Sequence, residues 1–474
     1  MGHITRPNRA DRMRAKTSKS GASLPVPALS HPWLSEALRR ALRRPPPLRR
    51  LLRDLAREVP GAGGAIYLVG GYLRNIVEGR EPGDVDLLVT GLSYRRTGDV
   101  LRALSVKVPG IRKIVAAGKH FPVHRIAVDW GGKEYIDVSN ARDDGHGWPG
   151  DGTGRDAPGS VVPADDREAV DDASRRDFTI NALLFRLVPG RSVEDGRLLD
   201  PFGGIDDVRG KRIRCVGEAA DRFREDPLRI VRAIRLKNER RGFVLHPATA
   251  SAIRRLGPRL LPAVSQDRLS VELVRSLSAD PAGTIDDLRR LGLLKVLLPE
   301  SGRHANRTAG RIARRYRFLR RSLGTSPPVH LLLGNLLADL PLEAAMATAR
   351  RLRLPDLRSV ASTLRCLHIL THPEALRFPR AETESALLAT KDTRGCIALY
   401  RAVQQTVKRP AKDLNRFISK CNIKPFMISG NWLDKNRFPE GPLRNEILLR
   451  VREETLAGKV KRHIDAVRLA ESMR

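Results

Sequence analysis

The stretch AIYLVGGYLRN at residues 65–75, followed by GDVDLLV at residues 83–89, decides the fold of this chain. Apolar residues fill the run before the glycine pair and flank the two aspartates, which predicts two buried β-strands. Because side chains alternate across a strand, we expect Asp84 and Asp86 on one face and Val85 on the other. The sequence therefore predicts two carboxylates side by side on a rigid element.

Two neighbouring carboxylates are costly to hold together unless a cation neutralises them. Hard oxygen ligands suit Mg²⁺, which keeps few protein ligands and completes its shell with water and phosphate oxygens. The pair Gly70-Gly71 lies between a predicted strand and a predicted helix, where backbone N–H groups can approach a phosphate closely. An aspartate pair after Gly83 is also typical of a turn that caps a strand. Taken alone, the motif leaves a metal site and a capping turn both open.

The charge of the chain indicates its class of partner. The 474 residues carry a formal net charge of +34, with a pI near 11.1. This imbalance favours a polyanion, and nucleic acid is the first candidate. The alternative is a basic surface that serves only solubility. A chain of this length is expected to form about two to four domains.

The four cysteines and the hydropathy pattern exclude several classes. The cysteines lie far apart in sequence and form no C-x-x-C pair, which argues against a zinc ribbon and a disulfide scaffold. No stretch of about 18 apolar residues predicts a transmembrane helix, so no membrane partner is expected. The amino terminus lacks the apolar core of a secretory signal. We therefore expect a cytoplasmic protein, whose oligomeric state the sequence leaves open.

The pattern along the chain changes near residue 50 and again near residue 190. Residues 1–50 hold twelve Lys or Arg against two acidic residues, and we interpret them as a basic extension whose first 30 residues are disordered. Residues 51–190 alternate strand and helix patterns and form a head domain. Within the head, Gly131-Gly132 separates two alternating runs and predicts a β-hairpin whose second strand carries Asp137. Residues 142–174 lack periodicity and predict a mobile loop.

Helical periodicity dominates after about residue 215. We assign residues 191–277 to a helical neck and residues 278–474 to a helical body and tail. The predicted fold class is α+β, with a small mixed-sheet head followed by an elongated all-α neck, body and tail.

Four motifs carry a resemblance to a known family. The glycine pair with Arg74, the Asp84/Asp86 pair and Asp137 look like the catalytic strands of the nucleotidyltransferase superfamily. RRDFTINAL at 175–183 is similar to the second signature of the bacterial tRNA nucleotidyltransferase (CCA-adding enzyme)/poly(A) polymerase family. That family's hinge segment and nucleotide-selecting helix are resembled by DPFGGIDD at 200–207 and RFREDPLRIVRA at 222–233. The chain departs from the family at Asn75, where an aspartate is usual.

The resemblance implies a two-metal site that joins a nucleotide to an RNA 3′-hydroxyl and releases pyrophosphate. Asp84 and Asp86 would bridge two Mg²⁺ ions, and Asp137 would complete the ion that activates the hydroxyl. The residues implied to bind the CTP or ATP substrate are Gly70, Gly71, Arg74, Arg176, Asp177, Asn181, Asp226 and Arg229. This interpretation requires that Asp137 point toward the other two carboxylates and that none of the three be buried against a guanidinium.

Asp226 and Arg229 lie three residues apart in a helical pattern, so we expect them on the same side of one helix. The resemblance implies that they read the Watson–Crick edge of the incoming base. The alternative is an ordinary salt bridge within the helix.

The acceptor RNA is less clearly indicated. GKHFPVHR at 118–125 partly fits a signature of bacterial poly(A) polymerases, and residues 428–459 resemble a degraded tail segment of tRNA nucleotidyltransferases, with Asn431-Trp432 and Glu440 departing from it. We favour the 3′ end of tRNA as the acceptor, with poly(A) addition to RNA as the alternative. Two other classes stay open: a non-catalytic RNA-binding protein on a polymerase-like scaffold, and a transferase that nucleotidylates a small molecule.

Overall fold

The computed structural model divides the chain into two compact units, Met1–Gly210 and Lys211–Arg474, and each is described by itself. The described residues are 32–41, 46–117, 122–130, 133–141, 166–190, 192–300, 305–371, 393–407, 432–433, 436, 438, 442–456, 460 and 462–473.

A seven-stranded mixed sheet forms the first unit, in the order β3-β4-β5-β2-β1-β6-β7. β2 and β5 run parallel, and the other neighbouring pairs run antiparallel. This arrangement confirms the predicted mixed sheet and the hairpin of β4 and β5. The strands are β1 (Ala65–Val69), β2 (Val85–Thr90), β3 (Ile111–Ala117), β4 (Val123–Trp130), β5 (Lys133–Asn140), β6 (Leu184–Leu187) and β7 (Arg197–Leu199).

Six helices accompany the sheet in the described part of the first unit. Leu38 of the first helix and Leu48 of the second are fully buried in the head core, so these parts of the predicted basic extension belong to the head. The predicted disordered arm at 1–30 lies outside the described residues. The helices are α1 (Pro32–Ala41), α2 (Pro46–Gly61), α3 (Gly71–Glu78), α4 (Tyr94–Ser105), α5 (Asp166–Ser174) and α6 (Gly204–Arg209).

The prediction of a mobile loop at 142–174 is wrong for its last nine residues, which form α5. Ala169 and Ala173 lie one helical turn apart and are fully buried, so the helix has an apolar face. Asp166 at its start accepts a hydrogen bond of 2.8 Å from the Tyr67 hydroxyl on β1. These tertiary contacts stabilise a helix that the acidic sequence of the segment did not predict. Residues 142–165 lie outside the described residues.

The sheet continues past the predicted end of the head at residue 190. β7 pairs with β6 in register, although it falls in the segment assigned to the neck. The division between units falls after Gly210. The head therefore takes in the first residues of that segment, and the roles given to 191–277 and 278–474 stay predictions.

The second unit is helical, as predicted, apart from one short parallel strand pair. No helix among its described residues, or among those of the first unit, has the length and apolar character to cross a membrane. The strands are β8 (Arg212–Ile213) and β9 (Val244–Leu245), and the helices are α7 (Ala219–Glu225), α8 (Leu228–Asn238), α9 (Pro247–Leu260), α10 (Gln266–Ala279), α11 (Pro281–Arg290), α12 (Leu294–Leu297), α13 (Ala305–Leu323), α14 (Val329–Leu337), α15 (Leu342–Arg351), α16 (Leu357–Thr371), α17 (Thr393–Val407), α18 (Pro442–Leu456) and α19 (His463–Ser472).

Candidate active site

Two of the predicted carboxylates lie in one cross-strand row of the sheet. Asp86 on β2 is in register with Val69 on β1 and with Asp137 on β5. Because in-register residues on neighbouring strands point to the same face, Asp86 and Asp137 share a face. Asp84 is exposed and stands just before β2, which begins at Val85. The strand thus carries one aspartate of the pair, and the other lies at its entrance.

Asp86 lies in a charged but poorly solvated place. Its pKa is raised from 3.8 to about 6, chiefly because burial disfavours the ionised form, and the negative charges of Asp137 and Asp84 raise it further. Arg176 and Arg74 act in the opposite direction and lower it. All three predicted carboxylates and two predicted phosphate-binding arginines therefore act on one another electrostatically.

The glycine pair brings the backbone close to these charges. Gly70 has a φ of +67° and precedes α3, a conformation that glycine adopts without the strain of a side chain. A Cβ atom at Gly70 would lie 3.3 Å from Nη1 of Arg176 and 3.4 Å from Oδ2 of Asp86. The glycine therefore keeps a small space open between the carboxylate and the guanidinium, at the start of a helix.

Arg74 links α3 to the segment Arg176–Asn181. Its side chain is only 9% exposed and donates hydrogen bonds to Oδ1 of Asn181 and of Asn75. Asn181 in turn donates from Nδ2 to Oδ1 of Asp177 at 2.9 Å. Asn75, which replaces the usual aspartate of the family, therefore still accepts hydrogen bonds from Arg74 as a neutral group.

Arg176 is positioned by a residue that the sequence analysis missed. Its Nε and Nη2 atoms lie 3.3 and 3.2 Å from Oδ2 of Asp172 on α5, and its Nη1 donates to the Asn181 carbonyl at 3.2 Å. The spacing of four residues between Asp172 and Arg176 was the available signal, because such pairs meet on a helix. The pair was missed because Asp172 falls in the segment that was predicted to be a loop.

Asp137 contacts a guanidinium in this structure. Arg125 on β4 donates from Nε to Oδ1 at 2.8 Å and from Nη2 to Oδ2 at 2.7 Å. The side chains are 30% exposed for Asp137 and 40% exposed for Arg125, so the pair lies at a solvent-accessible edge and is not buried. The hydrogen bond and the charge of Asp137 raise the pKa of Arg125 above its ordinary value.

No three His, Cys, Asp or Glu side chains among the described residues are grouped closely enough to hold a metal ion. The metal site therefore stays a prediction. The donor set nevertheless fits a divalent cation, because it consists of hard carboxylate oxygens and the charges of Asp137 and Asp84 both act on Asp86.

In the second unit, the expectation that Asp226 and Arg229 share one helix is wrong. Asp226 has extended dihedrals between α7 and α8 because Pro227 follows it, and a residue before proline avoids the helical region. Nor do the two side chains form the alternative salt bridge with each other. Asp226 accepts from Nη2 of Arg268 at 2.9 Å, and Arg229 donates to Oε2 of Glu225 at 2.6 Å.

Comparison with known proteins identifies the first unit. Residues 66–214 match the model of the poly A polymerase head domain. This segment is similar to that head domain. A second match, over residues 242–302, is to a domain described as the probable RNA and SrmB-binding site of polymerase A. Both matches agree with the resemblance that the four motifs carry.

Curated relatives match about half of this chain. The CCA-adding enzyme of Geobacillus stearothermophilus is 35% identical over 232 residues, which is 49% of this chain and 50% of the relative. The multifunctional CCA protein of Xylella fastidiosa (strain M23) is 32% identical over 239 residues, again 49% of this chain and 50% of the relative. The chain thus spans about half the length of these relatives.

Solved structures match over more of the chain. The Bacillus stearothermophilus CCA-adding enzyme in complex with CTP covers 90% of this chain and 98% of its own, with a TM-score of 0.54 and 25% identity. The Thermotoga maritima CCA-adding enzyme complexed with tRNA covers 92% of this chain and 98% of its own, with a TM-score of 0.59 and 20% identity. These matches confirm the α+β fold that carries the head domain.

Proposed function

We propose that this chain acts in the cytoplasm as a template-independent RNA 3′-end nucleotidyltransferase. It adds all or part of the CCA end to tRNA from CTP and ATP and releases pyrophosphate. The observation that carries the proposal is the row of Asp86 and Asp137, with Asp84 at the entrance of β2 and Gly70 beside it. The resemblance to proteins named CCA-adding enzymes supports the choice of tRNA over other acceptors.

Asp84, Asp86 and Asp137 are the residues that would hold two Mg²⁺ ions. When bound, such ions neutralise the attacking and leaving oxygens of a phosphoryl transfer. The protein's part is to present ionised carboxylates on a rigid sheet. Asp86 contributes most here, because it lies on the central strand β2 and burial already keeps much of the water away from it.

The triphosphate would lie against the start of α3. Backbone N–H groups of Gly70 and Gly71 point from a helix amino terminus, which favours anionic groups. Arg74 and Arg176 supply guanidinium groups that match phosphate oxygens in pairs. Asn181 accepts a hydrogen bond from Arg74 and donates one to Asp177, and the two residues would orient the sugar of the incoming nucleotide.

Asp226 and Arg229 are proposed to select the base. In this structure Asp226, with a side chain 29% exposed, pairs with Arg268, which is 58% exposed. Arg229, which is 14% exposed, pairs with Glu225, which is 42% exposed. Each pair has one solvent-exposed partner, so solvent screens the attraction and each pair contributes little free energy, about 0–1 kcal/mol. Exchanging them for hydrogen bonds to a cytosine or adenine edge is therefore energetically accessible.

The experiment that tests this function is nucleotide incorporation. The purified chain is incubated with Mg²⁺, one labelled nucleotide at a time, and tRNAs that lack one, two or all three residues of the CCA end. A plain oligonucleotide serves as comparison. We expect incorporation of CTP, ATP or both into the truncated tRNAs and little into the oligonucleotide.

A matched pair of variants ties incorporation to the site. Asp86→Asn should abolish it, whereas Asp99→Asn, which removes an exposed carboxylate from α4, should leave it unchanged. Incorporation of ATP alone, equally into tRNA and oligonucleotide, would instead indicate a poly(A) polymerase. Absence of incorporation with every RNA and nucleotide would contradict catalysis and favour an RNA-binding protein.

A further inference from the structure

One positive residue lies at the end of the acidic row of the sheet. Arg125 on β4 is in register with Asp137, which is in register with Asp86 on β2. The three side chains therefore stand on one face in the order Arg125, Asp137, Asp86 across three neighbouring strands. The position of Arg125 follows directly from strand register and does not depend on a flexible loop.

The guanidinium engages both oxygens of Asp137. The two hydrogen bonds of 2.8 and 2.7 Å join Nε to Oδ1 and Nη2 to Oδ2, which is the bidentate geometry of a strong arginine–carboxylate pair. A carboxylate whose two oxygens both accept from one guanidinium directs its best lone pairs away from any other ligand. In this state Asp137 is poorly available to a cation that Asp84 and Asp86 would share.

The same guanidinium has a second partner that does not depend on Asp137. Its Cζ atom lies 5.3 Å from the centroid of the Tyr135 ring, within the range of a cation–π contact. Tyr135 and Asp137 are two residues apart on β5 and so lie on the same face. If Asp137 turned toward a cation, Arg125 could remain over the ring, which reduces the cost of separation.

Because both side chains are partly exposed to solvent, the ion pair of Arg125 and Asp137 can separate and form again. With 40% of the Arg125 side chain and 30% of the Asp137 side chain exposed, solvent screens their attraction. A divalent cation held near Asp84 and Asp86 would offer Asp137 twice the positive charge of the Arg125 guanidinium. It would therefore compete with that guanidinium for the Asp137 carboxylate. The contact is therefore strong enough to hold Asp137 in one orientation and weak enough to be replaced.

We propose that Arg125 is a positioning residue that holds Asp137 away from the metal site until a divalent cation displaces it. The inference rests on the proposed function, because it assigns Asp137 to that site. Arg125 then acts through Asp137 and sets the concentration of cation that the site requires. Removing the guanidinium should make the site easier to fill.

The test is direct binding of Mn²⁺, used as a stand-in for Mg²⁺ and followed by the electron paramagnetic resonance signal of the free ion, without nucleotide or RNA. Arg125→Gln should lower the dissociation constant for Mn²⁺ by about fivefold, the change that an exposed ion pair near 1 kcal/mol produces. Arg125→Lys, which keeps the charge and loses the bidentate fork, should give a smaller change. Nucleotide incorporation is measured on the same samples.

The matched control is Arg112→Gln. Arg112 on β3 forms an exposed pair of 2.6 Å with Asp129 on β4, so its removal changes the net charge equally and leaves Asp137 untouched. A second control repeats Arg125→Gln in an Asp137→Asn background, where the effect should vanish. Vanishing of the effect separates displacement of Arg125 from a general loss of positive charge.

The outcomes distinguish this inference from the proposed function. Equal or weaker Mn²⁺ binding by Arg125→Gln, with normal incorporation by the unaltered chain, overturns the inference alone. The same tightening in Arg112→Gln or in the Asp137→Asn background also overturns it. Failure of both the unaltered chain and Arg125→Gln to bind Mn²⁺ overturns it together with the metal site. Tightened binding by a chain that incorporates no nucleotide supports the inference while contradicting the proposed activity.

Discussion

At the scale of single residues, the buried charge of Asp86 lowers the stability of the folded chain, and the proposed cation site would require that charge. Its pKa in the folded chain is about 6, against 3.8 for an ordinary aspartate, so its ionised form is less stable folded than unfolded. This cost is fully present above about pH 6 and disappears as the pH falls below about 4. Placing such a group at a cation site exchanges stability for activity.

We therefore predict that Asp86→Asn stabilises the protein while abolishing incorporation. At pH 7.5, without divalent cations, the free energy of unfolding should rise by about 1–3 kcal/mol, because the substitution removes a desolvated charge. Urea denaturation between pH 4 and pH 8 measures the effect, which should shrink toward acid pH. Lower stability of the variant at pH 7.5, or a gain that does not change with pH, would contradict this account.

Asn75 allows a second prediction at this scale. Nε and Nη2 of Arg74 both donate to Asn75 Oδ1, at 3.2 and 3.0 Å. Asn75→Asp would turn a neutral acceptor into a charged one beside the guanidinium of Arg74, a residue that is only 9% exposed. We expect the free energy of unfolding to rise by about 0.5–1 kcal/mol, measured with urea at pH 7.5. Asn75→Ala, which removes the acceptor, should lower it, and equal stability of both variants would contradict the role of this contact.

Local pattern predicted part of the site, and register supplied the rest. The position of the glycine pair follows from its place between a strand and a helix. The faces occupied by Asp86, and by Tyr135 and Asp137 together, follow from alternation along single strands. The pairing of Arg125 with Asp137 depends on the register between β4 and β5, which shifts at an irregularity between Ala127 and Trp130. Counting along the sequence cannot locate such a shift, because it places an extra residue in one strand.

At the scale of elements, the segment Asp200–Arg209 connects the site to the end of the first unit. Asp200 caps α6 by accepting from the backbone N–H groups of Gly204 and Ile205 at 2.6 and 2.9 Å. A Cβ at Gly204 would overlap the carbonyl oxygen of Thr179, two residues before Asn181. The close approach of α6 therefore helps to fix the turn that presents Asn181 to Arg74.

We predict that Gly204→Ala lowers the free energy of unfolding by about 1–3 kcal/mol, because the new methyl group must displace backbone. It should also weaken nucleotide binding through movement of Asn181. Gly61→Ala is the matched control in the same unit, since a Cβ there meets nothing within 4 Å. Thermal denaturation with and without CTP measures both effects. Equal stability of the two variants would show that α6 does not pack closely on this turn.

The wrong predictions at this scale have physical causes. α5 forms although its sequence is acidic and follows a glycine-rich stretch, because Ala169 and Ala173 are buried and Asp166 bonds to Tyr67. The break between α7 and α8 follows from Pro227, a signal that was present in the sequence and was outweighed by helical periodicity. Tertiary contacts decided the first case, and a local steric rule decided the second.

At the scale of the whole molecule, the net charge of +34 favours association with polyanions such as nucleic acid. The helix α13 concentrates this charge, with Arg314 and Arg317 exposed while Arg315 is buried against Asp339. An exposed row of guanidinium groups favours a phosphate backbone and releases counterions on binding. The affinity for the proposed tRNA substrate should therefore fall steeply with salt, with α13 contributing part of the slope.

We predict that the double variant Arg314→Gln/Arg317→Gln reduces the slope of log affinity against log salt by about 1–2. Filter binding of tRNA between 50 and 300 mM salt, a range chosen around physiological ionic strength, gives the slope. Arg102→Gln/Arg112→Gln carries the same change of charge in the first unit and should alter the slope less. Equal slopes for the two variants would contradict a specific role for α13.

The most direct test of the central claim is anomalous diffraction from crystals containing Mn²⁺ and a non-hydrolysable CTP analogue. We predict manganese peaks in contact with carboxylate oxygens of Asp84, Asp86 and Asp137, with Arg125 no longer bonded to Asp137. Peaks that avoid Asp86, or an Asp137 still held by Arg125 beside a bound nucleotide, would contradict it.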